Sequence, residues 1–235
     1  VRPVPTYVLI PGGWHAAWCW WPVAKRLRAA GHRSIALTLP GLNDGEDPSG
    51  YRLTDAVDYV VSQVRGLELD VILVAHSWGG YPATGAAALL AEQVSKVIYF
   101  NALVPVCGKS LVDDHPPAGR DLLLHLINDS PDGAIAPTLA YVEELFMQDT
   151  APILQRMVAD LLTPQPGGYF LDALHVDPAA LTVPTAYIAS ENDCAPQWSA
   201  AEFASRLGVE PVYVPGTHLS MLTHPDEVAE AIMAA

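Results

Sequence analysis

The chain has 235 residues, 51% of them hydrophobic, with 12 Lys and Arg against 26 Asp and Glu and a formal net charge of −14. This is the length of one α/β domain, and the apolar content suffices for a core that needs no disulfide or metal. The acid excess argues against nucleic acid and anionic membrane as partners, and no stretch reaches the roughly 18 unbroken apolar residues of a membrane span.

The first residues, Val1-Arg2-Pro3-Val4-Pro5, lack the charged-then-apolar layout of a secretory leader. Cys19, Cys107 and Cys194 are odd in number and far apart, with no CxxC spacing. Both features lead us to expect free thiols in a reducing cytoplasm. Residues 7–10 are a short apolar run that stops at Pro11-Gly12-Gly13, a buried strand feeding a loop. Pro22 suits the first turn of a helix that ends at Gly31. Residues 34–39 form the next strand, and residues 40–50, rich in Gly, Asp and Pro, form a loop. Thr54 is placed to cap a helix carrying Ala56, Tyr59, Val60 and Val64 on one face.

Val71-Ile72-Leu73-Val74 is apolar throughout, as a strand buried on both faces of a parallel sheet must be. A tight turn and an alanine-rich helix follow. Residues 97–100, 185–189 and 212–214 complete the strands, with helices over 197–207 and from Pro225 to the end. Alternation of strand and helix implies a parallel sheet with right-handed crossovers. Between about 106 and 176 the alternation fails. That segment has helical patterns at 121–127, 139–147 and 151–162 and no convincing strand. It reads as a helical cap inserted over the carboxyl edge of the sheet, where ligands bind in open α/β folds. The chain is therefore expected to be a single α/β domain, residues 1–235, with about six parallel strands, helices on both faces and a cap at about 106–176.

The sharpest chemical signal is Ala75-His76-Ser77-Trp78-Gly79-Gly80, directly after the apolar strand. A serine on a strand-to-helix turn has a strained backbone and an exposed hydroxyl, and its flanks two residues away must be small. Ser77 is the candidate nucleophile, with the partial positive charge of the helix N-terminus behind it. The acid and the base should follow, each just past a late strand, in the order Ser, Asp or Glu, His. Asp193 is the favoured acid, a few residues beyond its strand, with Glu191 as competitor. His218, after the last strand, is the favoured base, with His224 as competitor. Gly13 and Trp78 would supply the two N–H donors of an oxyanion hole, with Trp14 next after Gly13. Trp14, His15, Phe146 and Met147 are candidate pocket residues, and Leu161 and Phe170 are weaker ones. His76 reads as a structural, hydrogen-bonded residue. Trp18, Trp20 and Trp21 are expected to pack the first helix. His125 and His175 lack partners at metal-ligand spacing, so no metal is expected.

Taken together, Val8-Leu9-Ile10-Pro11-Gly12-Gly13-Trp14-His15, His76-Ser77-Trp78-Gly79-Gly80, Asn101 to Pro105 and Gly216 to Pro225 resemble the motifs of small plant-type α/β-hydrolases. That group contains methyl salicylate and methyl jasmonate esterases and hydroxynitrile lyases, and bacterial carboxylesterases such as pyrethroid hydrolases are similar. The resemblance covers nearly the whole chain and implies the α/β-hydrolase fold with a six-stranded parallel sheet. Pro11 stands where the group usually has His. Leu219 and Gly12 stand where its hydroxynitrile lyases carry Lys and Thr, so both positions look like the esterase branch. The expected activity is hydrolysis of a small, largely apolar carboxylic ester or lactone by a serine mechanism that needs no cofactor. A lyase using the same triad and a ligand-binding receptor that retains it are the alternatives. The expected partner is a small molecule, with monomer and homodimer both open.

Overall fold

The computed structural model describes residues 4–68 and 70–235. Val1 to Pro3, at the expected leaderless start, lie outside the described residues. Six parallel strands form the main sheet: β1 (Thr6–Ile10), β2 (Arg33–Ala36), β3 (Val71–His76), β4 (Val94–Phe100), β5 (Thr185–Ser190) and β6 (Pro211–Val214), in the order β2-β1-β3-β4-β5-β6. Strand alternation divides the core in two. Val8 and Ile10 of β1 face one cluster with α2 (Leu53–Arg65) and α3 (Gly80–Leu89), while Tyr7 and Leu9 face the other with α1 (Trp21–Ala29). Ile10 pairs with Ala75, so the loops after β1 and β3 leave the sheet side by side.

The helix signals act as read in part. Pro22 lies in the first turn of α1. After it, Gly31 at φ 92° completes a closure in which the His32 N–H reaches the Leu27 carbonyl and the Gly31 N–H reaches that of Arg28. Trp20 is buried, but Trp21 is 58% exposed, so it does not pack the helix as expected. Thr54 does not cap α2: it lies inside the helix. The Asp55 carboxylate accepts the Arg52 N–H at 2.7 Å, and Asp172 accepts the Leu53 N–H at 3.0 Å. β2 stops at Ala36, short of residue 39. The helix expected over 197–207 is shorter, Ala200–Ser205, because Ser199 caps it by accepting the Glu202 N–H.

Between β4 and β5 lie α4 (Pro117–Asp129), a turn at Leu139–Tyr141 that widens into a π-helical stretch at Val142–Phe146, and α5 (Pro152–Ala159). This segment also holds a two-residue antiparallel ribbon, Ala134–Ile135 with Gln165–Pro166, which the sequence reading lacked. Two residues per strand, one of them proline, leave no alternating pattern to see. The segment lies against the loops at the carboxyl ends of the strands. The Thr163 N–H donates to the Trp14 carbonyl at 3.1 Å, and the Tyr169 hydroxyl to the Pro40 carbonyl at 2.7 Å. After β6, α6 (Pro225–Ala234) closes the chain against α1.

Candidate active site

Ser77 immediately follows β3 and begins the short turn Ser77–Gly79 that leads into α3. Its φ is +53°, in the left-handed region that costs a non-glycine residue of order 1 kcal/mol. The surroundings enforce it. The Ser77 carbonyl accepts the Leu103 N–H at 2.9 Å, and a Cβ on Gly80 would collide with the Leu103 carbonyl. A Cβ on Gly12 would come within 2.5 Å of the Ser77 Cβ. Glycine at 12 and 80 is thus what lets three backbone segments meet around one half-buried hydroxyl.

His218 lies in the loop after β6 with its side chain 2% exposed. Its Nδ1 is 3.0 Å from both carboxylate oxygens of Asp193, whose side chain is 8% exposed. In the neutral ring, Nδ1–H donates to the carboxylate and leaves Nε2 as an acceptor. Ser77 and His218 line the same cavity. Of the two competitors, Glu191 is exposed and only its backbone N–H is engaged, with Val214. His224 flanks α6, where its Nδ1 meets the Thr223 hydroxyl at 2.9 Å.

A polar network that sequence reasoning missed holds this arrangement. Asn101, at φ +45° directly after β4, donates through Nδ2 to the Ser190 hydroxyl at 2.8 Å and to the His218 carbonyl at 3.0 Å. Its Oδ1 accepts the Ser190 N–H at 2.6 Å, and the Ser190 and Ser220 hydroxyls are 2.6 Å apart. His76 donates from Nε2 to the same His218 carbonyl at 3.1 Å, the structural role read for it. The one available signal was an asparagine just past a strand, a residue that tolerates positive φ.

Two buried histidines are held neutral. Burial pushes His15 down to about 4, against a smaller opposing effect of the hydrogen bond from its Nδ1–H to the Gly13 carbonyl at 2.5 Å. Burial, then the neighbouring His218 and His15, holds His76 well below the usual histidine range. His15 does not line the cavity. It is buried, and its Nδ1–H holds the Gly13 carbonyl of the loop after β1, so it supports that loop rather than lining the cavity.

The cavity is small, about 100 Å³. Gly13 and Trp78 line it, as expected of oxyanion donors. Trp14 lines it too, but its N–H is taken by Gln165 Oε1 at 2.9 Å and its indole N–H by the Ile135 carbonyl at 2.9 Å. Phe146 and Phe170 contribute to the wall, whereas Met147 does not. Met147 stands just past the end of the π-helical stretch, at φ −144°, and packs into the core cluster on the α1 side of the sheet, which Phe146 also joins. Leu161 is 50% exposed and also outside the wall. His125 pairs with Asp129 on the surface, and His175 lines a separate groove beside α2. Among the described residues no group of three or more His, Cys, Asp or Glu is arranged to hold a metal.

Residues 7–231 match the model of the alpha/beta hydrolase family. The chain belongs to that family. It is similar to a carbendazim hydrolyzing esterase of a Nocardioides species, 38% identical over 115 residues, 48% of each chain. It is also similar to Methylesterase 9 of Arabidopsis thaliana, 35% identical over 103 residues, 42% of this chain and 40% of the relative. The matched stretch thus spans about half the length of these curated relatives. Among solved structures, an extracellular alpha/beta-hydrolase from a Paenibacillus species superposes with a TM-score of 0.91 at 22% identity over 99% of both chains. A pyrethroid hydrolase from Sphingobium faniae does so at 0.77 and 23% identity, over 99% of this chain and 97% of its own. These structural likenesses show the alpha/beta hydrolase fold expected from the sequence, with the six-stranded parallel sheet described above.

Proposed function

We propose that this member of the alpha/beta hydrolase family is a serine carboxylic-ester hydrolase that cleaves small, largely apolar esters or lactones through an acyl-enzyme. The observation that carries the reading is the His218 ring, hydrogen-bonded to Asp193 in a cavity it shares with Ser77 on its strained turn. In this scheme His218 Nε2 takes the Ser77 proton as Oγ bonds to the ester carbonyl carbon. Asp193 fixes the tautomer and stabilises the imidazolium. The Gly13 and Trp78 N–H groups receive the negative oxygen. The C–O bond to the alcohol breaks, and the alcohol leaves with the proton from His218. Water, deprotonated by His218, then releases the acid and restores Ser77.

The aromatic wall formed by Trp14, Trp78, Phe146 and Phe170 favours an uncharged substrate. The names of the relatives, an esterase and a methylesterase, support the reaction class. Leu219 and Gly12, at positions where hydroxynitrile lyases of the group carry Lys and Thr, support hydrolysis over cyanohydrin cleavage. Residues 106–176 act in this reading as the cap of a single domain. The three cysteines, all free, are compatible with a cytoplasmic setting. The test is hydrolysis of a panel of short chromogenic esters and lactones at neutral pH by wild type and Ser77→Ala. A loss of roughly a thousandfold or more is expected. Equal rates in the two proteins would remove Ser77 from the mechanism.

A further inference from the structure

Beyond Ser77 and His218, the wall of the small cavity is mainly apolar, and two polar side chains interrupt it, His115 and Gln197. Neither has a part in the acyl-transfer chemistry. His115 Nδ1 lies 2.9 Å from the Leu111 carbonyl, which can only accept, so the neutral ring carries its proton there and presents Nε2 as an acceptor. Gln197 Nε2 is buried with no acceptor among the described residues. A buried amide donor on a cavity wall can pair with a polar group that enters the cavity.

The segments that carry these residues are pinned together from behind. The Trp198 indole N–H lies 3.1 Å from the Asp114 carbonyl and 3.2 Å from its Oδ2. Arg206 closes the same point with a 2.8 Å contact to Asp114 Oδ2, the two side chains being 14% and 5% exposed. Gln197 and His115 are the chain neighbours of Trp198 and Asp114, so a buried ion pair fixes both on one rigid patch of wall. A purely apolar substrate would need no such patch. Apolar pockets use a few fixed polar groups to set orientation and specificity.

We propose that His115 and Gln197 select substrates carrying a second hydrogen-bonding group, a hydroxyl or an amide, away from the scissile ester. A hydroxyl satisfies both partners, its oxygen accepting the Gln197 N–H and its proton going to His115 Nε2. This deepens the ester-hydrolase reading and rests on it for the reaction, but recognition can be measured without turnover. The probes are methyl benzoate and its meta- and para-hydroxymethyl derivatives, titrated against Ser77→Ala protein by tryptophan fluorescence, since Trp14 and Trp78 line the cavity.

At least one hydroxymethyl ester is expected to bind about tenfold more tightly than methyl benzoate, one well-placed hydrogen bond's worth. That ratio should fall to about one when Gln197→Leu or His115→Phe is added. Gln197→Met, close in length and volume but without the amide donor, should abolish it as well and guards against a packing artefact. Equal affinities for all three esters in Ser77→Ala, or a preference that survives these substitutions, would overturn the assignment. Hydrolysis by wild type is scored separately. A binding preference with no turnover of any ester would sink the hydrolase reading while leaving the recognition wall standing.

Discussion

Two hollows of this molecule differ in size and in the backbone strain around them. The larger, about 600 Å³, is an apolar groove between α2, α3 and residues 172–176, lined by Val57, Gly85, Leu89 and Leu174 among others. The smaller, about 100 Å³, holds Ser77 and His218. By size and apolarity the groove is the better pocket. Strain says otherwise. Of the non-glycine residues at positive φ among the described residues, Trp14, Ser77 and Asn101 all follow strands that end at the small cavity, and only Asp70 lies elsewhere. Left-handed backbone at a non-glycine residue persists only where surrounding contacts impose it, and such positions cluster where mechanism requires them. The groove runs between two helices and residues 172–176. The cavity is a place where several segments are forced together.

If that contrast is right, damage should scale with proximity to the forced geometry. Asp193→Asn should have the largest effect, lowering kcat by roughly 10⁴-fold because an amide favours the wrong histidine tautomer. Glu191→Gln should leave kcat within about twofold, and steady-state kinetics on one ester separates the two.

Next comes the buried histidine that holds the loop after β1. His15 is held down to about 4 against an ordinary 6.5. The folded state keeps it neutral while the unfolded chain protonates. Its contribution is therefore present in full above pH 6.5 and is lost as pH falls from 6.5 towards 4, by roughly 3 kcal/mol. Denaturant titrations across that range should show the loss, and His15→Asn should reduce it while leaving the share of His76, which burial also holds well below the usual histidine range.

A smaller effect is expected at Asn101. Asn101→Ala removes a donor from the His218 carbonyl and should lower kcat by roughly 10- to 100-fold with little change in KM, because a displaced base harms orientation rather than binding. In the groove, Leu174→Ala should cost stability, yet leave kcat/KM within about twofold.

The parts of this architecture that local chemistry dictates were readable in the sequence. Unbroken apolar runs gave β1, β3 and β4, and the small residues at 75, 79 and 80 around Ser77 gave the turn. Loops just past β5 and β6 gave Asp193 and His218. What escaped depends on residues far apart in the chain. Asn101 reaches Ser190 and His218 across 89 and 117 positions, and Gln165 occupies the Trp14 N–H across 151. No local pattern marks such partners. The segment between β4 and β5 shows the same limit at shorter range. Residues 139–147 read as helix, but the stretch widens into a π-helix over Val142–Phe146 and ends at Met147, so regular helical spacing does not tell that Phe146 alone of the two reaches the cavity wall while both pack into the core cluster on the α1 side. Whether His15 lines the pocket or has a structural role stayed open in the sequence, because adjacency to Gly13 and Trp14 does not specify which side of a loop a ring occupies.

The central claim is that Ser77 becomes covalently acylated. Intact-mass spectrometry after incubation with a fluorophosphonate, followed by peptide mapping, tests it without knowledge of the natural substrate. Wild type should gain one adduct per chain on the peptide bearing Ser77, Ser77→Ala should gain none, and His218→Ala should react far more slowly. An unlabelled wild type, or an adduct on another residue that persists in Ser77→Ala, would contradict the account.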